Sequence, residues 1–538
     1  MLNMRKIKNN WKNAILLILV SMSLLVKIHL GFDCDEQYAF SMMYRFSQGQ
    51  KYLSDLFDPY QFSALLMTPL FYLCSLVSKQ YMVLLFRFFS AVLYFLGSIP
   101  VYVFIKKESG DKQLAFFGFL LFFTLTPKSI ISLEHSNLTA LFLSYVLMDL
   151  FTYLKYGKLN TLFFSVKSVI LAICYPTLTL LIFPVLIIFF AKKDYSRALK
   201  FLIACFLISL LFIVPPMIYS GGIKGLIRNV QLVLMDGSHQ FSAIDRALVL
   251  LSDIKFAVKY LAVYLLCFGG LLVWKHFAPQ SWIAGISNLL LFCTSFFLVG
   301  IIQVLFSIAS PTAGYIRYVF LLIIAFIFSR KHENKELKQC LLILLIAIAI
   351  MFISSNNGIQ ATAGFCGFGV IAIILMNKSD RRGLSFFLIV AIACQCSYYL
   401  LSYHVSGGGP RSVFHSELVA SKTAKGILTE QADESFFESC ASQVLVSSSQ
   451  NVMIGGSNPY SYLLVGGEVF SPTTTGTPVY GKQWKEYLQL RNLEDFDLIV
   501  DKNIQSTDDL LKIIGDNYNL ELVSEDNNIC HYVCEKSE

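Results

Sequence analysis

The sequence predicts a polytopic α-helical membrane protein with a small extracytoplasmic α/β domain at its C-terminal end. Three observations predict it. Hydrophobic residues fill 56% of the 538 positions and charged ones only 14%, with 47 Phe among them, and the mean hydropathy is +0.62. A water-soluble chain of this length cannot bury so much apolar surface. Apolar runs of spanning length recur throughout residues 1–403, and residues 404–538 then turn acidic and polar.

Taken in order, the first run, 14–30, follows a segment bearing Arg5, Lys6, Lys8 and Lys12. No small-residue cleavage site comes after it, so it reads as a retained helix with a cytoplasmic N-terminus and not as a signal peptide. Further runs lie near 81–105, 113–130, 137–154, 160–174, 176–191, 200–218, 256–274, 282–309, 318–329, 339–353, 362–376 and 384–403. A helix needs about 20 apolar residues to cross, and the total comes to about thirteen spans.

The 160–191 block can be read as one long helix or as two short ones broken at Tyr175-Pro176. Loop charge decides between them, because short cytoplasmic loops hold the Lys and Arg. With the N-terminus inside, the inner loops contain Lys106, Lys107 and Lys112; Lys155 and Lys158; Lys192, Lys193, Arg197 and Lys200; Lys275; Arg330, Lys331, Lys335 and Lys338; and Lys378, Arg381 and Arg382. A single helix over 160–191 would put every later basic loop outside, so the broken reading is preferred. The expectation is a multi-pass protein of the cell (plasma) membrane with its C-terminal domain outside.

After residue 404 there are nine Lys/Arg and nineteen Asp/Glu, net −10, against +18 for the rest. Gln443–Ser447, Asn451–Ile454, Tyr460–Val465 and Asp497–Val500 are short apolar runs, and Ser506–Ile514 reads as a helix, so a small α/β domain is expected. Gly407-Gly-Gly-Pro410 is the expected hinge. Of the thirteen Cys, only Cys440, Cys530 and Cys534 belong to this domain. One disulfide with one leftover thiol is open there, and the pairing is not legible. No P-loop pattern, dinucleotide fingerprint or nucleic-acid module is present; the positive balance is orientation charge, and no nucleic-acid partner is expected.

The first outer loop, 32–80, is the richest part of the chain. Asp33, Asp35 and Glu36 cluster at the mouth of the first span, where carboxylates are costly and mark a site. The competing reading, solvated residues ending a helix, is the weaker one for the cluster and stands level only for Glu36. Tyr38–Phe46 patterns as a surface helix ending at Gly49, and Phe62–Val77, interrupted by Thr68-Pro69, as an interfacial or re-entrant helix.

A first span followed by Asp35-Glu-Gln-Tyr38, a surface helix ending in Gly49, then Asp55-Leu-Phe-Asp-Pro59 before a second apolar helix resembles the GT-C superfamily of membrane glycosyltransferases, uncharacterised Gram-positive members especially. The match covers about the first 180 residues. It implies transfer of a sugar from a polyprenyl-phosphate donor, undecaprenyl in a bacterium, to a glycan, glycolipid or protein acceptor at the outer face. It also implies Asp35 as general base, with Glu36 in support. Glu134, in Thr126–Ser136, matches a second-loop acid that orients the acceptor or holds a divalent metal with Asp35; no cofactor is otherwise implied.

The departing lipid phosphate needs cations. Arg317, in Gly314-Tyr-Ile-Arg-Tyr318 of a late outer loop, is the first candidate by resemblance, with Lys128, His135 and Arg87 beside it. Arg87 is also placed to snorkel to the interface. His239, in Asp236–Gln240, is a further binding candidate but sits where surface histidines are common. Where aminoarabinose transferases carry Lys-Pro, this chain has Asp58-Pro59. The competing classes are a polysaccharide polymerase or ligase, for which Lys224, Arg228 and Arg246 of the loop 220–255 are the relevant cations, a lipid-linked sugar transporter, and a non-catalytic scaffold.

Overall fold

Apolar runs become helices because hydrocarbon offers backbone groups no partner except one another. The computed structural model describes residues 2–31, 33–127, 131–235, 242–306, 311–329, 334–355, 358, 362, 364–401, 416–417, 423–429, 438–440, 442–443, 451–455, 460–465, 468–474, 481–491, 493–503, 507–526 and 528–537. The helices are α1 (Leu2–Ile28), α2 (Cys34–Ser47), α3 (Gln61–Val77), α4 (Met82–Ser109), α5 (Lys112–Thr124), α6 (His135–Tyr156), α7 (Thr161–Cys174), α8 (Ile182–Ala191), α9 (Tyr195–Tyr219), α10 (Ile223–Leu234), α11 (Ala243–Phe277), α12 (Asn288–Leu305), α13 (Pro311–Ser329), α14 (Lys335–Ser354), α15 (Gly367–Met376) and α16 (Arg381–Leu401). Among the described residues, seven of these are long and apolar enough to cross a membrane: α4, α6, α9, α11, α12, α14 and α16. α5 and α15 are short, buried and apolar. α9 and α11 instead turn Phe206, Leu211, Leu248 and Leu266 outward. Such faces suit lipid, since in water they would form an adhesive patch.

Polar contacts sort the bundle into two ends. At one end, Lys155 of α6 meets Glu108 of α4 at 2.6 Å, Arg381 meets Asp111 at 3.3 Å, Tyr153 donates to Asp194 at 3.1 Å and the Ser287 N–H donates to Asp380 at 2.8 Å. Basic turns far apart in sequence are thereby gathered together. The opposite end holds residues 31–60, the start of α6 and the β-containing tail. The 160–191 block reverses direction between the two ends: α7 stops at Cys174, Pro176–Leu181 is a 3₁₀ turn, and α8 follows. Pro176 cannot donate to a continuing helix. α3 has both its ends at the second end, with Tyr60 stacked on His135 and the Gln80 carbonyl accepting from Lys425 N at 2.9 Å.

Two stretches differ from the sequence reading. The loop 220–255 is largely helical: α10 buries Leu226, Asn229 and Leu232, and α11 begins at Ala243, capped by Ser242 and Asp245. Its polar first turns hid it from an apolar-window search. Arg317 lies inside α13 and not in a loop, because Pro311 opens that helix earlier than the apolar run suggests.

In the tail, β1 (Ser416–Glu417) pairs with β2 (Leu428–Thr429), and β3 (Asn451–Gly455), β4 (Glu468–Val469), β5 (Asp495–Asp501), β6 (Tyr518–Asp526) and β7 (Ile529–Lys536) form a sheet ordered β4-β3-β5-β7-β6. β3 runs parallel to β4 and β5, and β7 antiparallel to β5 and β6. Central β5 is buried on both faces from Phe496 to Val500, as its apolar Leu498-Ile-Val500 run requires, and buried Asp497 in that stretch is bonded to His531 at 2.7 Å. Tyr460–Val465 is not a strand: Ser461–Val465 is helical, and the Tyr462 hydroxyl accepts from Ile454 N at 3.0 Å and donates to Ile454 O at 2.9 Å, closing the end of β3. Residues 444–447 and the Gly407–Pro410 hinge lie outside the described residues.

Cys440, Cys530 and Cys534 are free and buried. Cys530 and Cys534 sit four residues apart on β7, about 13 Å of extended strand, so they cannot bridge. Burial pushes the Cys440 and Cys534 thiols up to about 12.

The tail is not a loose appendage. Buried Arg45 of α2 donates to Gln50 Oε1 at 2.6 Å, to the Asp55 carbonyl at 2.9 Å and to the Ser471 carbonyl at 2.7 Å. Gln50 donates to the Val469 carbonyl at 2.8 Å, and Phe57 N to the Pro472 carbonyl at 2.8 Å. Phe57 itself enters the tail's core beside Trp484 and Tyr487. Replacing Arg45 by Met leaves these carbonyls buried without their donor, an expected cost on the order of 2–4 kcal/mol. The expected readout is faster proteolytic release of the tail from detergent-purified protein.

Candidate functional site

Helix termini explain why charge collects at the exit of α1. The last carbonyls of α1 have no intrahelical donor, and the first N–H groups of α2 have no acceptor. Arg87, on the second turn of α4, serves the first set: it donates to Ile28 O at 2.8 Å, to Leu30 O at 3.4 Å and to Gly31 O. Asp33 serves the second, capping α2 by accepting from Asp35 N at 2.9 Å.

Glu36 then binds Arg87 through both oxygens, at 2.8 and 2.5 Å, and also accepts from the Ser132 hydroxyl. Glu36 and Arg87 are each 3% exposed and Ser132 is fully buried. A negative group in the first turn of α2 and a positive one at the end of α1 both complement the helix dipoles. Lys27, buried in the last turn of α1, lies close enough to feel Arg87, Asp33 and Glu36. The guanidinium of Arg87 therefore faces Glu36 and the α1 carbonyls, which gives both residues a positioning role.

Ser132 ties this cluster to the second loop. Its carbonyl accepts from Asn137 Nδ2 at 2.6 Å and from Glu134 N at 2.9 Å. Glu134 is the N-cap of α6, accepting from Ser136 N at 2.7 Å and Asn137 N at 2.8 Å, and it also pairs with His135 Nδ1 at 2.9 Å. The His135 ring stacks on Tyr60, centroids 4.0 Å apart and 13° from parallel, and Tyr60 continues to Tyr175. Two loops about 100 residues apart thus share one polar floor with an aromatic wall beside it.

Asp35 and Asp55 are the half-buried acids of this face, and Asp55 is taken up by Arg491 at 3.0 Å and by Lys51 N at 2.7 Å. Asp35 stands on the first turn of α2, whereas Asp33, Glu36, Asp58 and Glu134 are buried. Asp58 is drawn to the tail, accepting from Thr474 N at 3.2 Å and Thr474 Oγ1 at 3.4 Å.

Arg317 is packed inside the bundle, apart from this cluster and 1% exposed. It donates to Cys394 Sγ at 2.6 Å and to the Tyr398 hydroxyl at 2.7 Å, and lies over the Phe297 and Tyr398 rings. A Cβ on Gly300 would overlap its guanidinium, so that glycine makes the room. Arg317 reaches the second loop through α16, whose Tyr399 hydroxyl meets Thr126 Oγ1 at 2.8 Å. Lys128 and His239 lie outside the described residues.

Among the described residues no three His, Cys, Asp or Glu side chains converge as a metal site. Glu134 already spends both oxygens on backbone N–H groups and His135, so the pairing with Asp35 offers no ready cradle for a divalent ion. The sequence reading missed Ser132, Tyr60 and Arg45. Only Tyr60 carried a signal, as an aromatic beside Asp58-Pro59.

The two adjacent acids separate in a stability measurement. Glu36→Gln breaks a buried pair and is expected to cost about 3–5 kcal/mol, read as a lower thermal melting midpoint in detergent. Asp35→Asn at the half-exposed neighbour is expected to stay within about 0.5 kcal/mol.

Compared with known proteins, no family model matches this chain, and no curated protein matches it either.

Proposed function

We propose that this chain is a GT-C-like membrane glycosyltransferase of about thirteen spans, which moves a sugar from a polyprenyl-phosphate donor to an acceptor hydroxyl at the extracytoplasmic face. The acceptor is a glycan, glycolipid or protein. The observation that carries the reading is Asp35: a half-exposed carboxylate on a helix whose start is pinned by Glu36–Arg87 and whose end is pinned by Arg45 to the tail. Fixed backbone around an accessible carboxylate is what a general base needs.

Two further features support it. The basic turns gather at the bundle end opposite the tail, which agrees with a cytoplasmic N-terminus and an extracytoplasmic tail. The tail also closes over the loop that carries Asp35, where a water-soluble domain can meet an acceptor.

In this reading the acceptor oxygen attacks the anomeric carbon as its bond to the lipid phosphate breaks. Asp35 takes the hydroxyl proton, and the lipid phosphate leaves with the bonding pair. Glu134 and His135 shape the acceptor side, and Glu36–Arg87 hold the base in place. Proton removal of this kind is worth about 10²- to 10⁴-fold.

The test is incubation of purified protein with labelled polyprenyl-phosphate sugars. Asp35→Asn is expected to lose at least about 100-fold in turnover with an unchanged melting midpoint. Equal turnover in wild type and variant removes Asp35 as base. Labelled lipid that wild type moves across a bilayer uncleaved would identify a transporter.

A further inference from the structure

A groove at the opposite end of the bundle, among the basic turns, takes no part in that chemistry. Lys158 and Asn160 of the α6–α7 turn, Phe163 and Lys167 of α7, Asp149 of α6 and Arg197 of α9 line an open chamber of about 870 Å³. A second chamber of about 440 Å³ adjoins it, shaped by Ile99, Pro100, Val103 and Phe104 of α4 with Tyr145 and Met148 of α6. The two share Asp149, Thr152 and Lys167, so they form one groove with a polar half and an apolar half.

The polar half is cationic. Lys158, Lys167 and Arg197 line it, with Asp149 paired to Lys167 and Asp194 to Arg197, so the excess positive charge sits at Lys158. Asp149 holds the Lys167 ammonium at 2.6 Å, and the Tyr145 ring, 5.5 Å from that nitrogen, covers it from the other side. Arg197 is steadied by Asp194 and by the Tyr153 ring at 4.9 Å. Lys107 adds a fourth cation at the lip of the apolar half. That half opens outward: Val103 is 55% exposed and Ile99 41%, on faces that are apolar because they meet lipid chains.

Asp149 and Lys167 stand about 10 Å inside the basic end, with their polar atoms turned into the chamber. Long cationic side chains that snorkel from such a depth hold an anion at the boundary between headgroup and acyl chain. We infer that this groove binds an anionic phospholipid of the inner leaflet, its phosphate among Lys158, Lys167 and Arg197 and an acyl chain laid along α4 past Val103. The inference rests on the membrane placement proposed above, and not on the transferase chemistry.

Native mass spectrometry of the full chain in detergent, with phosphatidylglycerol and phosphatidylcholine of identical acyl chains added in turn, tests it. Wild type is expected to retain phosphatidylglycerol over phosphatidylcholine by at least about fivefold, the worth of one basic residue near an anionic headgroup. Lys158→Glu, an exposed position, is expected to abolish that preference. Val103→Trp fills the apolar half and is expected to lower retention of both lipids while every cation stays. Equal retention of the two lipids by wild type, an unaltered preference in Lys158→Glu, or complete displacement of lipid by inorganic phosphate overturns the proposal. Turnover of labelled sugar lipids at the other end is read separately, so either reading can fail alone.

Discussion

The ion pair between Glu36 and Arg87 is the constraint on which the rest of the outer face depends. A chain leaving hydrocarbon must satisfy the open carbonyls of the helix it exits and the open N–H groups of the helix it enters. Here one guanidinium takes the carbonyls of Ile28, Leu30 and Gly31, and the carboxylate it pairs with belongs to the first turn of the next helix. Because the pair is buried, neither charge has water to fall back on, and the α1 exit, α2, α4 and Ser132 must keep one arrangement. Asp35 inherits its position from that lock through the first turn of α2, which it shares with Glu36.

Much of the helical architecture is legible in the residues, because hydrocarbon imposes one length and one composition on whatever crosses it. The apolar runs each contain a helix, and Tyr175-Pro176 breaks the 160–191 block where backbone chemistry requires. Legibility fails where partners are remote. Nothing local to Glu36 announces Arg87, 51 positions on, or Ser132, 96 positions on. Arg317 was legible as an important cation but not as a helical one, since a charge in the second turn of α13 truncates the apolar signal.

The same contrast runs through the tail. Asn451–Gly455 and Asp495–Asp501 show themselves as buried strands by their unbroken apolar cores. The hairpin of β6 and β7 does not, because β6 is a largely solvated edge rich in acids. Its one cue was Asn527-Asn528, with Asn528 at a positive φ of 68°, a residue type that turns readily. Docking onto the first loop had no cue at all: Arg45 and Ser471 are 426 positions apart.

That separation has a temporal meaning. The loop bearing Asp35 is made well before its partners: the carbonyl that Arg45 needs lies 426 positions later and the Thr474 groups that answer Asp58 lie 416 positions later. Until that later segment has been made, these polar groups of the early loop lack the partners that the tail brings. The face that surrounds Asp35 is thus completed only when the tail has docked, so a chain cut just after α16 would carry the helical bundle and still lack the groups that close this face.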